Sequence, residues 1–287
     1  TRQVYIARGA AIMGLDVDSG LVTPKVASAM GAHSAAPLPG RRLLTTNGAS
    51  NTAMIVSAAD GSVLATIPTG NLPDAAIFDP ASGLAFVAEH IGGAVDFVDA
   101  KTQAAVGQVM VGGTLEFLAA DGKGHLFVNV ESTNSIAEID IKSKAVIGTF
   151  PLTGCQDPSG VAYDAAAGAL IAACHNKVAA VADAATGQVL QTLPIGLGPD
   201  AVIYDPQRKL VFVPCGGDGT LAVIGGASPA KLAVMQTVTT QLGARSGTVD
   251  PKTGKLYLPT AKYNAPAPGA TRGAMIPGTV ELLVVSP

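Results

Sequence analysis

The sequence predicts an all-β protein: a seven-bladed β-propeller built from four-stranded antiparallel blades. Two observations carry this. The chain repeats itself with a period of roughly 41–45 residues, a spacing typical of propeller blades. Within each repeat, short apolar runs rich in Val, Ile, Ala and Phe alternate with Gly, Pro, Asp and Asn, the pattern of strands and tight turns.

The repeat is plainest in two segments. Pro73–His90 reads PDAAIFDPASGLAFVAEH and Pro199–Gly216 reads PDAVIYDPQRKLVFVPCG. Both begin with Pro-Asp, turn at an aromatic-Asp-Pro step and continue into an apolar run of equal length. The turn aspartate marks each unit, at Asp79, Asp121, Asp164, Asp205 and Asp250, and Leu38 holds its place in an upstream unit. Within the third unit, DAAIFD reads as strand A, LAFVAE as strand B, AVDFVD as strand C and AAVGQVMV as strand D. A helical reading fails because no segment sustains apolar residues at helical spacing.

The predicted blades cover residues 1–30, 31–70, 71–111, 112–153, 154–198, 199–243 and 244–287 of one domain. The first lacks strand A and the last lacks strand D. The expectation is that an N-terminal strand preceding Thr1 closes the ring, because closure removes exposed sheet edges.

Composition narrows the function. The chain has 287 residues, 48% of them hydrophobic and 14% charged, with a formal net charge of −3. Such a chain can bury a large core, and it lacks the excess of Lys and Arg that a duplex nucleic-acid binder needs. Trp is absent, which also argues against a stacking groove for single strands. No apolar run approaches the roughly 20 residues of a membrane span. The start, TRQVYIARGA, already reads as strand and carries neither an initiator Met nor a leader, as expected of a processed, exported protein.

Gly40–Gly70 reads GRRLLTTNGASNTAMIVSAADGSVLATIPTG. It resembles the repeat of the bacterial YVTN-type seven-bladed β-propellers, with RLLTTN in place of the name-giving motif. The C-terminal KLYLPTAKYNAPAPGA and PGTVELLVVSP are similar to the ending of that family. The resemblance implies the fold and a periplasmic or secreted bacterial location. It implies no activity, since propellers host many unrelated ones.

In a propeller, the D–A connections and B–C loops share one face, around the channel mouth, where ligands meet the ring. Residues entering strand A or leaving strand B are therefore the candidates for binding: His33, Asp74, Glu89, His90, His175, Asp200 and Arg245. Symmetric hairpins would set Asp74 opposite Glu89, Asp200 opposite Cys215 and Arg245 opposite Thr260. His90 and His175 are the candidate ligands for a divalent metal, although no close metal-binding spacing supports them. His125 maps to the opposite end. Cys155 and Cys174 enter and leave one predicted hairpin and can form a disulfide in an oxidising compartment, leaving Cys215 single. The long last B–C loop, Ala261–Gly278, carries Tyr263 and Arg272 as further binding candidates.

Two functions follow. The first is an exported binding or scaffold module for a small molecule, peptide or protein at the mouth. The second is a metal-assisted propeller enzyme, of lactonase or lyase kind, with a His/carboxylate site there. No nucleophile elbow or phosphate loop is present to favour other chemistry.

Overall fold

The computed structural model describes residues 2–265, 275–276 and 278–286. The chain falls into two compact units, Thr1–Pro151 and Leu152–Pro287. Both are built of antiparallel sheets whose strands follow one another in chain order.

The first unit holds three sheets. The first contains β1 (Gln3–Asp16), β2 (Val22–Leu38), β3 (Arg42–Asn47), β4 (Thr52–Ser57) and β5 (Val63–Pro68). The second contains β6 (Pro73–Asp79), β7 (Leu84–Glu89), β8 (Ala94–Asp99) and β9 (Ala104–Met110). The third contains β10 (Leu115–Ala120), β11 (His125–Val130), β12 (Ser135–Asp140) and β13 (Ala145–Pro151).

The second unit repeats the design. Its first sheet is β14 (Pro158–Asp164), β15 (Ala169–Cys174), β16 (Val178–Asp183) and β17 (Val189–Pro194). Its second is β18 (Ile203–Asp205), β19 (Leu210–Cys215), β20 (Thr220–Gly225) and β21 (Ala233–Thr239). Its third has three strands, β22 (Thr248–Val249), β23 (Leu256–Thr260) and β24 (Glu281–Val285).

Among the described residues the structure thus shows six sheets, and the five-stranded one departs from the predicted boundary near Met30. The reason is local. β1 doubles back at Gly9, which has a φ of +55°, so that the Val17 N–H donates to the Arg2 carbonyl at 3.0 Å. β2 turns at Gly31, with a φ of +69°: its first part pairs with β1, and Ala32–Leu38 pairs with β3. One continuous strand therefore belongs to two hairpins.

The repeated aspartates are turn builders. Asp79 accepts the N–H groups of Ala81 and Ser82, Asp164 those of Ala166 and Ala167, and Asp205 those of Gln207 and Arg208. A short acceptor at the first turn position satisfies donors that the strand ladder cannot reach.

The sheets pack through the side chains of their inner strands. In the first unit, Phe86 and Phe97 meet edge to face, with centroids 4.9 Å apart, in a cluster with Leu115, Leu126 and Ile139. Leu44 and Ile55 pack with Val87 and Val98 in the same way. In the second unit Ile171 and Val181 meet Val213 and Ile224. Gly160 shows how close the sheets come: a Cβ there would lie 2.6 Å from the backbone of Ala201 and Val202.

One irregularity recurs. Pro73 pairs with Glu89 but Ala76 pairs with Val87, so two residues on β6 oppose one on β7. The same one-residue bulge separates Ala32 from Ala35, Leu115 from Leu118, and Pro158 from Val161. Pro199 bridges to Cys215 while Ile203 pairs with Phe212, which adds a fifth case. Two of the symmetric hairpins expected from the sequence are therefore off by one residue: Pro73, not Asp74, faces Glu89, and Pro199, not Asp200, faces Cys215. A bulge breaks the ladder and leaves backbone groups to be satisfied elsewhere. In the first sheet Thr46 does this. Its buried hydroxyl accepts the Ser34 N–H at 2.9 Å and donates to the Asp74 carbonyl of the next sheet at 2.6 Å. Replacing Thr46 with Val keeps the shape and strands both partners. The variant is expected to lose about 1–3 kcal/mol of stability in a chemical denaturation experiment.

Candidate functional site

The first residue of each bulge is His33, Asp74, Glu116, Ser159 or Asp200. In a regular strand these positions would alternate into the sheet-packing faces. A bulge re-aims its first side chain. Here every one of the five is polar, and the charged ones meet partners from a neighbouring sheet.

In the first unit they form a chain in which imidazoles alternate with carboxylates. His33 Nδ1 lies 3.1 Å from Asp74 Oδ1, with both side chains partly exposed. His90, just beyond the end of β7, has Nδ1 3.0 Å from Glu116 Oε1 and 3.0 Å from the Leu115 carbonyl. The backbone supports the link, since the Leu115 N–H donates to the His90 carbonyl at 3.1 Å. Asp74, His90 and Glu116 each present a donor atom within 4.8 Å of the others. One imidazole and two carboxylates are donor types that suit a divalent cation. Here the imidazole nitrogen and the charges are already committed to one another, and we read the group as an ion-paired chain. His175, the other expected metal ligand, is absent from this group. It lies in the second unit as an exposed residue whose backbone N–H donates to the Gln156 carbonyl. Among the described residues, the group that brings three such donor atoms together holds His90 with Glu116 and Asp74. Glu116 was the residue missed as a candidate; its cue is the carboxylate that follows the strand-entry Leu115 in the repeat.

Glu89 also sits elsewhere than expected. It is 2% exposed and turned inward, where it accepts the Gly70 N–H and an N–H of Gln108. Pairing through Pro73 rather than Asp74 puts its side chain under the turn instead of on the exposed end.

In the second unit Arg245 Nε lies 3.2 Å from Asp200 Oδ2, and the Ala201 N–H donates to the Arg245 carbonyl. Ser159 Oγ donates to the Pro199 carbonyl at 3.2 Å. Cys155 and Cys174 are joined in a disulfide with a Cα–Cα distance of 5.4 Å. Cys215 is a buried thiol, pushed up to about 11 chiefly by burial, and so is a poor nucleophile. Tyr263 bridges to Met275, and Arg272 lies outside the described residues. Among the described residues no helix is long and apolar enough to cross a membrane.

At the far end of the first unit's hairpins, His125 Nδ1 lies 2.8 Å from Asp121 Oδ2. A groove of ≈ 570 Å³ opens there, lined by apolar Leu84, Val106 and Ile141 beside Asp79, Asp99 and Lys123.

No family model matches the chain, and no curated protein does. Solved structures do. Hydrazine synthase of Kuenenia stuttgartiensis matches with a TM-score of 0.78 over 99% of this chain and 92% of that one, at 18% identity. A chain of the mitotic checkpoint complex matches with a TM-score of 0.76 over 89% of this chain and 80% of that one, at 17% identity. The fold is a β-propeller. At such identity the likeness carries the fold and no activity, so the function of this propeller has to be argued from its own residues.

His90 gives that argument a handle. Its hydrogen bond to Glu116 raises it to about 9 against the opposing effect of burial. A histidine raised on folding stabilises the protein fully below its usual value of 6.5, and that contribution is lost as pH rises through about 9. An NMR titration is expected to find His90 still protonated at pH 8. The E116Q variant should bring its midpoint back toward 6.5 and flatten stability across this window.

Proposed function

We propose that the chain is an exported, seven-bladed propeller of YVTN-type kinship that serves as a binding or scaffold module. Its recognition face is the one made by strand-A entries and strand-B exits. The observation that carries this is the bulge series. Five hairpins give up a ladder position at the same place, and in each the re-aimed side chain is polar. A fold that only needed stability would keep the ladder regular. The His33, Asp74 and Arg245 side chains remain partly exposed there, within reach of a ligand that competes for their ion pairs.

Other features support the finer points. The doubling back at Gly9 and the turn at Gly31 divide the five-stranded sheet into two blade-like hairpin sets, which suits a count of seven. The Cys155–Cys174 bridge suits an oxidising compartment outside the cytosol. Low charge and the absence of Trp favour a small-molecule, peptide or protein partner over nucleic acid.

The test is site-specific photocrosslinking in the native extract. A crosslinker at position 33 is expected to capture a partner that one at position 123, at the far end of the hairpins, does not. Equal labelling from both positions would contradict the reading. One equivalent of a tightly bound transition metal, lost on changing His90 to Ala, would favour the metal-assisted enzyme instead.

A further inference from the structure

Two carboxyl groups are buried side by side in the sheet of β6 to β9. Glu89 closes β7 at 2% exposure, and Asp96 sits in the middle of β8 at 5%. The Gln108 side chain on β9 donates one N–H to Glu89 Oε1 and another to Asp96 Oδ1, each at 2.9 Å. Glu89 Oε1 also accepts the Gly70 N–H at 2.6 Å. Gly70 and Gly92 wrap the carboxylate so closely that a Cβ on either would collide with it. Asp96 Oδ2 is left buried with no hydrogen-bond partner.

With both groups ionised, this arrangement would hold two like charges in a dry site and leave one oxygen unsatisfied. A single proton removes both problems. Placed on Asp96 Oδ2 and donated to Glu89, it gives the orphaned oxygen a partner and leaves the pair one negative charge, shared with the Gly70 and Gln108 donors.

We propose that Asp96 holds this proton and that Asp96, Glu89 and Gly70 form a proton-dependent latch on the connection between β5 and β6, closed below neutrality and opened above it. The neighbours are consistent with this. Glu89 is the ionisable group whose charge acts on Asp96, β9 contributes the neutral Gln108, and β4 of the adjoining sheet packs Ala53 and Ile55 beside Val98. Burial, then the hydrogen bond that its proton makes to Glu89, lifts Asp96 to about 7. Losing the proton places a second charge against Glu89 and drives it from the Gly70 N–H. That frees the segment leading into Asp74 on one side and strains the turn after Glu89 on the other. The latch stands independently of the proposed recognition face; only its effect on binding rests on that reading.

Carbon-13 NMR of labelled aspartate side chains tests the proton, and amide exchange at Gly70 tests the latch. One Asp resonance is expected to titrate near pH 7 in the native protein and to be missing in D96N. E89Q, which removes the facing charge, should move that midpoint down. Exchange protection at Gly70, corrected for the intrinsic rate, is expected to fall about tenfold or more from pH 6 to pH 8.5 in the native protein and to stay level in D96N. Complete ionisation of every aspartate below pH 5 would overturn the proposal. So would Gly70 protection that is unchanged with pH, or that falls equally in D96N.

Discussion

A single extra residue at the start of the inner strand organises each of these hairpins. A strictly alternating strand sends every second side chain into the apolar space between sheets, where a charge is costly unless paired. The bulge breaks alternation at one position. It allows Ile77 and Phe78 to continue a packed strand while Asp74, only a few residues earlier, carries a partly exposed carboxylate. The lost ladder bonds are recovered across sheets, by Thr46 on Asp74 and by Ser159 on Pro199. The device that exposes polar side chains therefore also ties each sheet to the next within its unit.

The two units use that device with different chemistry. In the second, Asp200 is matched by the guanidinium of Arg245. In the first, Asp74 and Glu116 are matched by the imidazoles of His33 and His90, and His90 is raised to about 9. The buried Glu89–Asp96 pair lies in the same sheet as Asp74 and one residue from His90. As pH rises, the Asp96 proton and the His90 charge are lost in separate windows, near 7 and near 9.

Much of the fold was legible in the sequence. The turn aspartates and the apolar runs between them locate β6 to β9 closely, because each turn needs a short acceptor and each inner strand is largely buried. The first sheet was less legible, since Gly9 and Gly31 bend continuous strands where the composition suggests breaks. The entry positions were also visible as the variable ends of the repeat. Their pairing was not, because a one-residue bulge leaves no composition signal in PDAAIFD. Glu89 read as exposed because a strand-end carboxylate usually is. The cue that it is buried lies away from it, in Asp96 set between Val95 and Phe97 and in Gln108 on the adjoining strand.

Deleting Ala75 tests the role of the bulge most directly. Pro73 can still pair with Glu89 and Ala76 with Val87, but the intervening strand becomes regular. The account predicts that a crystal structure of this variant keeps the sheet and the Glu89 contact to Gly70. It predicts that the Asp74 carboxylate turns toward a sheet face and leaves His33. A variant in which the His33–Asp74 pair persists at its present distance would show that the bulge does not aim the side chain, and would contradict the account.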